Sequence, residues 1–282
     1  DYSYDKDFYQ LEAKKNSIKI NFNHASINDD SSDFEIYLFN KSGEKVGSFF
    51  SYNGTGGVYK TGVVPGETYY LLIRSEDDTN NNGGNYRFDI TFIEEYWELE
   101  DNNTFGTANS IVESTEYYGY VNDNKSGVAD KIATDYYRFV AKGNSMNLTV
   151  DRLTSESSGY LDIYLYNSSK DKMVSITSGA NNEKIGLKQG NKYYLNIDAD
   201  TYYDAYNGNY KFSFNFMDEK YEIEPNGKFN QAHNIDFNQD YFGTSINEEK
   251  DYYKFTAETS QFNLNFVCLD NESDDDFDIY LY

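Results

Sequence analysis

The sequence contains a domain-sized internal repeat, and this repeat limits the possible folds more than any other feature. The segment DFYQL at residues 7–11 recurs as DYYRF at 135–139 and as DYYKF at 251–255. Further segments recur in the same order, so that Glu222 matches Glu98. Glu98 and Glu222 are 124 residues apart, since 222 − 98 = 124. A repeating unit of this length is a whole domain, which predicts a tandem array of domains rather than a solenoid of small repeats.

The repeat divides the chain into three copies. The predicted bounds are 1–94 for the first repeat, 95–218 for the second and 219–282 for the third. The second copy is complete, whereas the first lacks the Glu-x-Glu opening of the others and the third stops before its later strands. We therefore expect the chain to be part of a longer protein, covalently linked to further domains.

Within each copy, apolar and polar residues alternate along short segments. In the second repeat Leu161, Ile163 and Leu165 alternate with Asp162 and Tyr164, and similar segments are separated by Gly- and Asn-rich turns. This period of two is typical of strands with one buried face. About eight such strands per copy predict an all-β fold of tandem jelly-roll-like antiparallel β-sandwich domains, with the first and third copies truncated.

The sequence also suggests one helix and the environment of its single cysteine. Residues 104–111 are the only helical candidate, since Ala108 and Ile111 could both pack against the sandwich. The single cysteine, Cys268, lies in the apolar run 262–269, which predicts a buried structural thiol. One cysteine also excludes a disulfide within the chain.

The charge balance narrows the classes of partner. The net charge is −24, from 48 acidic and 24 basic residues. A strongly acidic chain repels phosphate backbones and anionic lipids, so we expect no nucleic-acid partner. No apolar run approaches the roughly 20 residues of a membrane span, which predicts no membrane insertion. Acidic and Asn-rich loops offer oxygen ligands that suit calcium, although the charge could also serve solubility alone.

The ordered set of motifs resembles the bacterial pre-peptidase C-terminal domain, a family that includes the collagen-binding domains of clostridial collagenases. In the second repeat the matching segments are ELEDNN at 98–103, YG at 118–119, DYYRF at 135–139, LDIYL at 161–165, YYL at 193–195 and GNY at 208–210. In the third repeat they are EIEPN at 222–226, FG at 242–243 and DYYKF at 251–255.

The resemblance implies a non-catalytic β-sandwich module of an exported protein, with calcium bound by the Glu-x-Glu-x-Asn segment and by acidic residues near the Asp-Tyr-Tyr strand. The implied calcium ligands are Glu98, Glu100, Asn102 and Asn103 with Asp130 or Asp135 in the second repeat, and Glu222, Glu224 and Asn226 with Glu248 and Asp251 in the third. The second repeat departs from the family pattern in its longer loop at 121–134, and the first repeat keeps only Asp5 and Asp7.

The residues themselves support a cation site. Alternate side chains of an extended segment point to one side, so Glu98, Glu100 and Asn102 can converge. Convergent acidic groups repel each other unless a cation lies between them, and calcium accepts carboxylate, amide and backbone oxygens. The alternative is that Glu98 and Glu100 belong to a solvated linker between domains.

A second candidate site lies on the outward face of the sheet. The alternation directs Tyr136, Tyr164, Tyr166 and Tyr194 away from the core, and such tyrosines could bind a fibrous protein or a glycan. The alternative is that tyrosine is simply a favourable strand residue in a chain with 30 of them.

The function predicted from the sequence is therefore a calcium-stabilised, non-catalytic array of an exported peptidase or bacterial surface protein. It would attach to an extracellular matrix protein or another polymer, including polysaccharides, outside the cell. No His-Glu-x-x-His, Gly-x-Ser-x-Gly or phosphate-loop motif is present, and the two histidines lie at non-equivalent positions. The alternatives are a purely structural stalk without a ligand, and a glycosidase built on a sandwich.

Overall fold

The structure is a computed structural model and describes residues 6–24, 34–51, 56–75, 85–121, 134–153, 160–177, 182–199, 208–244, 250–269 and 277–282. Its regular elements are strands, apart from one 3₁₀ turn. The prediction of an all-β fold built from antiparallel sheets is confirmed. None of the described residues forms a helix with the length and apolar character needed to cross a bilayer.

The first repeat forms two facing sheets. Its strands are β1 (Lys6–Glu12), β2 (Ser17–His24), β3 (Phe34–Asn40), β4 (Lys45–Ser51), β5 (Gly57–Gly62), β6 (Thr68–Ser75) and β7 (Tyr86–Ile93). They pair antiparallel in the orders β1-β6-β3-β4 and β5-β2-β7. Ile18, Ile20 and Phe22 alternate along β2 and are fully buried with Ile36 and Leu71. The period of two therefore directs one face of each sheet into a shared core.

The second repeat contains the same arrangement with three further short strands. Its strands are β8 (Tyr96–Trp97), β9 (Asn109–Ser110), β10 (Tyr117–Val121), β11 (Asp135–Val140), β12 (Ser145–Arg152), β13 (Leu161–Tyr166), β14 (Lys172–Thr177), β15 (Glu183–Gly186), β16 (Lys192–Ala199) and β17 (Gly208–Met217). The sheets run β9-β11-β16-β13-β14 and β15-β12-β17-β10-β8.

The order of β11 to β17 within these sheets repeats the order of β1 to β7. Leu161, Ile163 and Leu165 face the core, together with Leu148 and Phe214 of the opposite sheet. The jelly-roll connectivity and the bounds 1–94, 95–218 and 219–282 stay predictions.

We call residues 95–111 and 219–235 the entry segments of the second and third repeats. The third repeat has the same strand pairing at its entry segment as the second. Its elements are β18 (Lys220–Tyr221), a 3₁₀ turn at Phe229–Gln231, β19 (His233–Asn234), β20 (Tyr241–Phe242) and β21 (Tyr253–Lys254). The strand β18 pairs parallel with β20, and β19 pairs parallel with β21, as β8 does with β10 and β9 with β11.

The expected helix at 104–111 is wrong. Thr104 and Thr107 close a single turn through a 2.8 Å contact between their hydroxyls, and Asn109–Ser110 then pairs with β11 as strand β9. Threonine and asparagine side chains that bond to nearby backbone compete with helix formation, and Gly106 lies between them. Ala108 and Ile111 are nevertheless buried, as their apolar character predicts.

The expectation of a buried Cys268 is also wrong, since the thiol is exposed. By the spacing of the DYY motifs, Cys268 matches Arg152 at the end of β12, which is exposed in the second repeat as well. The next residue, Leu269, is exposed like its counterpart Leu153. The apolar run therefore extends beyond the part of the strand that is buried in the second repeat.

Candidate metal centre

Three carboxylates of the second repeat meet where the entry segment crosses the end of the sandwich. The segment leaves β8 with the Glu98 amide donating to the Tyr118 carbonyl (2.9 Å). Four residues later the Asn102 carbonyl accepts from the Tyr136 amide (3.0 Å). These two backbone bonds fix the segment over the start of β11. One carboxylate oxygen each from Glu98, Glu100 and Asp135 then lies within 4.8 Å of the others.

Glu98 is the central group of this cluster. Its Oε1 accepts a hydrogen bond from the Tyr120 amide (2.7 Å), and its Oε2 accepts from the Tyr137 hydroxyl (3.0 Å) and the Asn102 amide (3.4 Å). The side chain is buried, as is that of Asp135. These contacts hold the carboxylate in one orientation.

Two buried tyrosines connect the carboxylates. The Tyr210 hydroxyl donates to Asp135 Oδ2 (2.6 Å) and lies 2.7 Å from the Tyr137 hydroxyl. The alternation of apolar and polar residues along DYYRF and GNYKF predicts only that both tyrosines face the core. The available signal was that the two tyrosines recur with the motifs DYY and GNY, whereas a purely apolar role would be filled equally well by phenylalanine.

Two buried oxygen atoms of the cluster lack a hydrogen-bond partner among the described residues. They are Asp135 Oδ1 and Asn102 Oδ1. An unpaired buried polar atom costs about 1–3 kcal/mol, so such atoms need an explanation. Both are acceptors within the carboxylate cluster, and a cation would satisfy them together.

The pKa values of the three carboxyl groups also indicate that the cluster lacks a counter-charge among the described residues. Burial raises the pKa of Glu98, and burial with the adjacent charges of Glu98 and Glu100 raises the pKa of Asp135 well above its usual range. Burial and the Glu98 charge raise the pKa of Glu100 to about 8. The carboxylates therefore destabilise one another when ionised without a counter-charge.

The third repeat builds an equivalent cluster from Glu222, Glu224 and Asp251, with ligand atoms again within 4.8 Å. Glu222 accepts from the Thr244 amide (2.6 Å) and the Tyr253 hydroxyl (2.7 Å), which correspond to Tyr120 and Tyr137. The same geometry is therefore built twice, from residues at equivalent positions of the two repeats.

Asn226 takes the place of Asn102 in this second cluster. Its Nδ2 donates to Glu222 Oε2 (3.0 Å) and its backbone amide donates to Glu224 Oε2 (2.8 Å). The side chain is fully buried, and Asn226 Oδ1 has no hydrogen-bond partner among the described residues. An amide oxygen is thus left available in both repeats.

The predicted metal residues therefore divide into three groups. The structure brings together eight of them at the two clusters, namely Glu98, Glu100, Asn102, Asp135, Glu222, Glu224, Asn226 and Asp251. The side-chain amide of Asn103 donates instead to the exposed Asp101, which belongs to neither cluster. Asp130 and Glu248 lie outside the described residues.

The first repeat contains half of the same arrangement. The Tyr86 hydroxyl donates to Asp7 Oδ2 (2.5 Å) and lies 2.7 Å from the Tyr9 hydroxyl, as in the Asp135, Tyr210 and Tyr137 group. Asp5 lies outside the described residues. No group of three acidic ligands occurs in the described part of this repeat.

The predicted tyrosine surface lies on the outer face of the β11-β16-β13 sheet. Tyr136, Tyr164 and Tyr166 are half-buried, whereas Tyr194 is only 8% exposed. Phe105 from the preceding turn covers this region, with ring centroids 4.6 Å from Tyr136 and 5.1 Å from Tyr194. The alternation could not reveal Phe105, because that residue lies outside any strand.

Three lysines border this aromatic surface. The ammonium of Lys172 lies 4.7 Å from the Tyr164 ring centre, that of Lys170 lies 5.2 Å from the Phe105 ring centre, and that of Lys192 lies 6.0 Å from the Tyr194 ring centre. Asp162 and Asp198 also lie beside these tyrosines, so the surface combines half-exposed rings with charges of both signs.

Comparison with known proteins shows no family. No family model matches the chain, and no curated protein sequence matches it. The crystal structure of tripeptidyl peptidase 2 is similar over 75% of this chain at 11% identity and a TM-score of 0.24, and the chain spans 21% of that protein. The human MASP-1/3 CUB1-EGF-CUB2 structure gives 9% identity and a TM-score of 0.21 over 75% of this chain and 93% of that one.

A third similarity is to a putative secreted protein from Parabacteroides distasonis. It covers 74% of this chain and 80% of that chain, at 8% identity and a TM-score of 0.20.

Proposed function

We propose that this chain is a non-catalytic array of β-sandwich modules that binds calcium where each entry segment crosses the sandwich. The recurrence of one acidic cluster with an available amide oxygen, in two repeats, carries this proposal. The array would belong to an exported peptidase or bacterial surface protein and attach it to an extracellular protein or polysaccharide.

The donor set favours calcium over other common cations. The atoms at each cluster are carboxylate and amide oxygens, and no histidine or cysteine belongs to either cluster. Zinc and copper sites in proteins use nitrogen and sulfur ligands, whereas calcium takes six to eight oxygens with flexible geometry. Magnesium binds fewer protein groups and retains several waters, so it uses such a donor set less well.

Calcium titration of the whole chain tests the metal part of this proposal. After chelation and dialysis, calorimetry should show two ions per chain, one for each cluster. Glu98→Gln with Glu100→Gln should remove one ion, and Glu222→Gln with Glu224→Gln should remove the other.

The control for charge alone is Glu94→Gln, whose side chain is 77% exposed and pairs with Lys15. This change should leave both ions bound. Equal loss of calcium in the control and in the cluster variants, or magnesium binding as tightly as calcium, would contradict the proposal.

Attachment to a polymer is supported by the aromatic surface. Aromatic rings beside lysines can stack on sugar or proline faces while the ammonium groups contact carbonyl oxygens. Tyr164 and Tyr166 are half-buried there, and Phe105 packs on Tyr166 as well as on Tyr194, with ring centroids 5.2 Å and 5.1 Å apart.

We expect Tyr164→Ala with Tyr166→Ala to weaken binding to the polymer about tenfold or more, since central aromatic residues dominate binding energies. Pull-down on insoluble collagen, cellulose, chitin and peptidoglycan, followed by titration on the best binder, measures this. Tyr96→Ala, which removes an exposed tyrosine of the opposite sheet, is the control. If the unmodified chain binds none of these polymers, the structural stalk becomes the better explanation.

A further inference from the structure

Each entry segment is held by the preceding repeat as well as by its own. The Gly62 amide, at the end of β5 in the first repeat, donates to the Glu98 carbonyl (2.9 Å). The buried Ser17 hydroxyl donates to the Glu95 carbonyl (2.6 Å) and accepts from the Trp97 amide (3.0 Å). We call Ser17 and Gly62 the socket of the first repeat.

The socket leaves no room for a side chain at its glycine. A Cβ built on Gly62 would overlap the carbonyl oxygens of both Trp97 and Glu98. These are backbone atoms that cannot rotate away. The absence of a side chain is therefore what lets β5 approach the entry segment so closely.

The second repeat has an equivalent socket, Ser145 and Gly186, which receives the entry segment of the third. The buried Ser145 hydroxyl donates to the Glu219 carbonyl (2.7 Å). A Cβ on Gly186 would overlap the carbonyl oxygens of Tyr221 and Glu222. The same pair of residue types thus joins both pairs of neighbouring repeats.

The residues held by the sockets are the ones that build the clusters. The backbone of Glu98 lies against the first socket while its carboxylate lies in the cluster, and Glu222 lies in the same way against the second socket. Since β8 and β18 have only two residues each, the entry segments have few strand bonds of their own. Short isolated strands are marginal, so outside contacts must hold them in place.

We propose that the socket of each repeat positions the Glu-x-Glu segment of the next, so that the cation affinity of a repeat is set by the repeat before it. This inference rests on the proposed function, because it concerns the same calcium sites. Ser17, Gly62, Ser145 and Gly186 are positioning residues that touch no ligand atom. A preformed segment binds with a smaller ordering cost than one that must be fixed by the ion itself.

Calcium affinity of each site, measured separately in the whole chain, tests this inference. In a chain with Glu222→Gln and Glu224→Gln, only the second-repeat site remains, and Gly62→Ala should weaken it about tenfold or more. In a chain with Glu98→Gln and Glu100→Gln, only the third-repeat site remains, and Gly62→Ala should leave it unchanged. Gly186→Ala should instead weaken the third-repeat site and leave the second-repeat site unchanged.

Two further variants separate positioning from misfolding. Ser17→Ala removes the socket hydroxyl without adding volume and should weaken the second-repeat site alone, by a smaller factor than Gly62→Ala. Gly106→Ala adds a methyl group to the entry segment itself, where the nearest atom lies 3.7 Å from the new Cβ, and should change neither site.

Two results would overturn the inference. One is unchanged affinity at the second-repeat site in both Gly62→Ala and Ser17→Ala. The other is equal weakening of both sites by Gly62→Ala, which would indicate general destabilisation. Absence of calcium binding in the unmodified chain would overturn the proposed function as well, so the two failures are distinguishable.

Discussion

Replacing Asp135 with asparagine is expected to destabilise the second repeat in calcium and to stabilise it in chelator. In calcium the change removes a charged ligand, and a site saturated a hundredfold above its dissociation constant contributes about 2.7 kcal/mol. In chelator the folded chain must either protonate Asp135, whose pKa is raised by burial, or keep it ionised beside two other carboxylates, and asparagine removes this cost. Asparagine still offers an oxygen to the Tyr210 hydroxyl, so the hydrogen bond that Asp135 accepts can be kept.

Urea unfolding of the whole chain with excess calcium and with chelator measures both effects. The exposed Asp218 provides a matched control, since Asp218→Asn changes the net charge equally without touching the cluster. A change of the same sign in both conditions would mean that Asp135 acts only as a structural residue. The reversal of sign is the distinctive result, because loss of packing alone cannot stabilise either state.

The second large effect is a fall in the stability of the calcium-free chain as pH rises from about 4.5 to 8. Glu98, Glu100 and Asp135 have folded-state pKa values raised above those of the unfolded chain, mainly by burial. A raised carboxyl pKa favours folding below the unfolded value, and this stabilisation is lost as pH rises through the folded value. For Glu100 that value is about 8.

The size of the pH effect follows from the pKa shift. One pKa unit corresponds to about 1.4 kcal/mol, so the cluster contributes on the order of 2 kcal/mol or more across this interval. Urea unfolding in chelator at pH 5, 6.5 and 8 measures it. Repulsion among the other acidic residues also lowers the stability as pH rises, so its contribution must be separated from that of the cluster.

A triple variant isolates the contribution of the cluster. The chain with Glu98→Gln, Glu100→Gln and Asp135→Asn keeps the remaining surface charge, so its slope measures the background. Saturating calcium should also flatten the slope of the unmodified chain, because the ion holds the ligands deprotonated. Equal slopes for the triple variant and the unmodified chain in chelator would contradict the assignment of these pKa shifts.

Local periodicity was enough to predict the strands and one side of the acidic cluster. The alternation of Leu161, Ile163 and Leu165 predicted a strand with its apolar side in the core, where these residues lie. The spacing of Glu98 and Glu100 likewise predicted side chains on one side of an extended segment. Successive side chains of a strand point to opposite faces because of covalent geometry, so the buried face can be predicted from residues adjacent in sequence.

Roles that depend on residues distant in sequence were not predictable in the same way. Tyr137 and Tyr210 looked like core residues, although their hydroxyls connect Glu98 with Asp135. The coverage of Tyr194 by Phe105 depends on which segment packs over the sheet. None of these contacts produces a periodic pattern in the sequence.

The sequence by itself determined the repeat, the all-β class and the residue types of the oxygen-rich acidic clusters. Only the tertiary structure decided that Asp135 completes the second-repeat cluster and that Gly62 of one repeat lies against Glu98 of the next. The physical reason is that strand periodicity follows from the backbone geometry of consecutive residues. Contacts between repeats are decided instead by how two folded sheets and a crossing segment pack together.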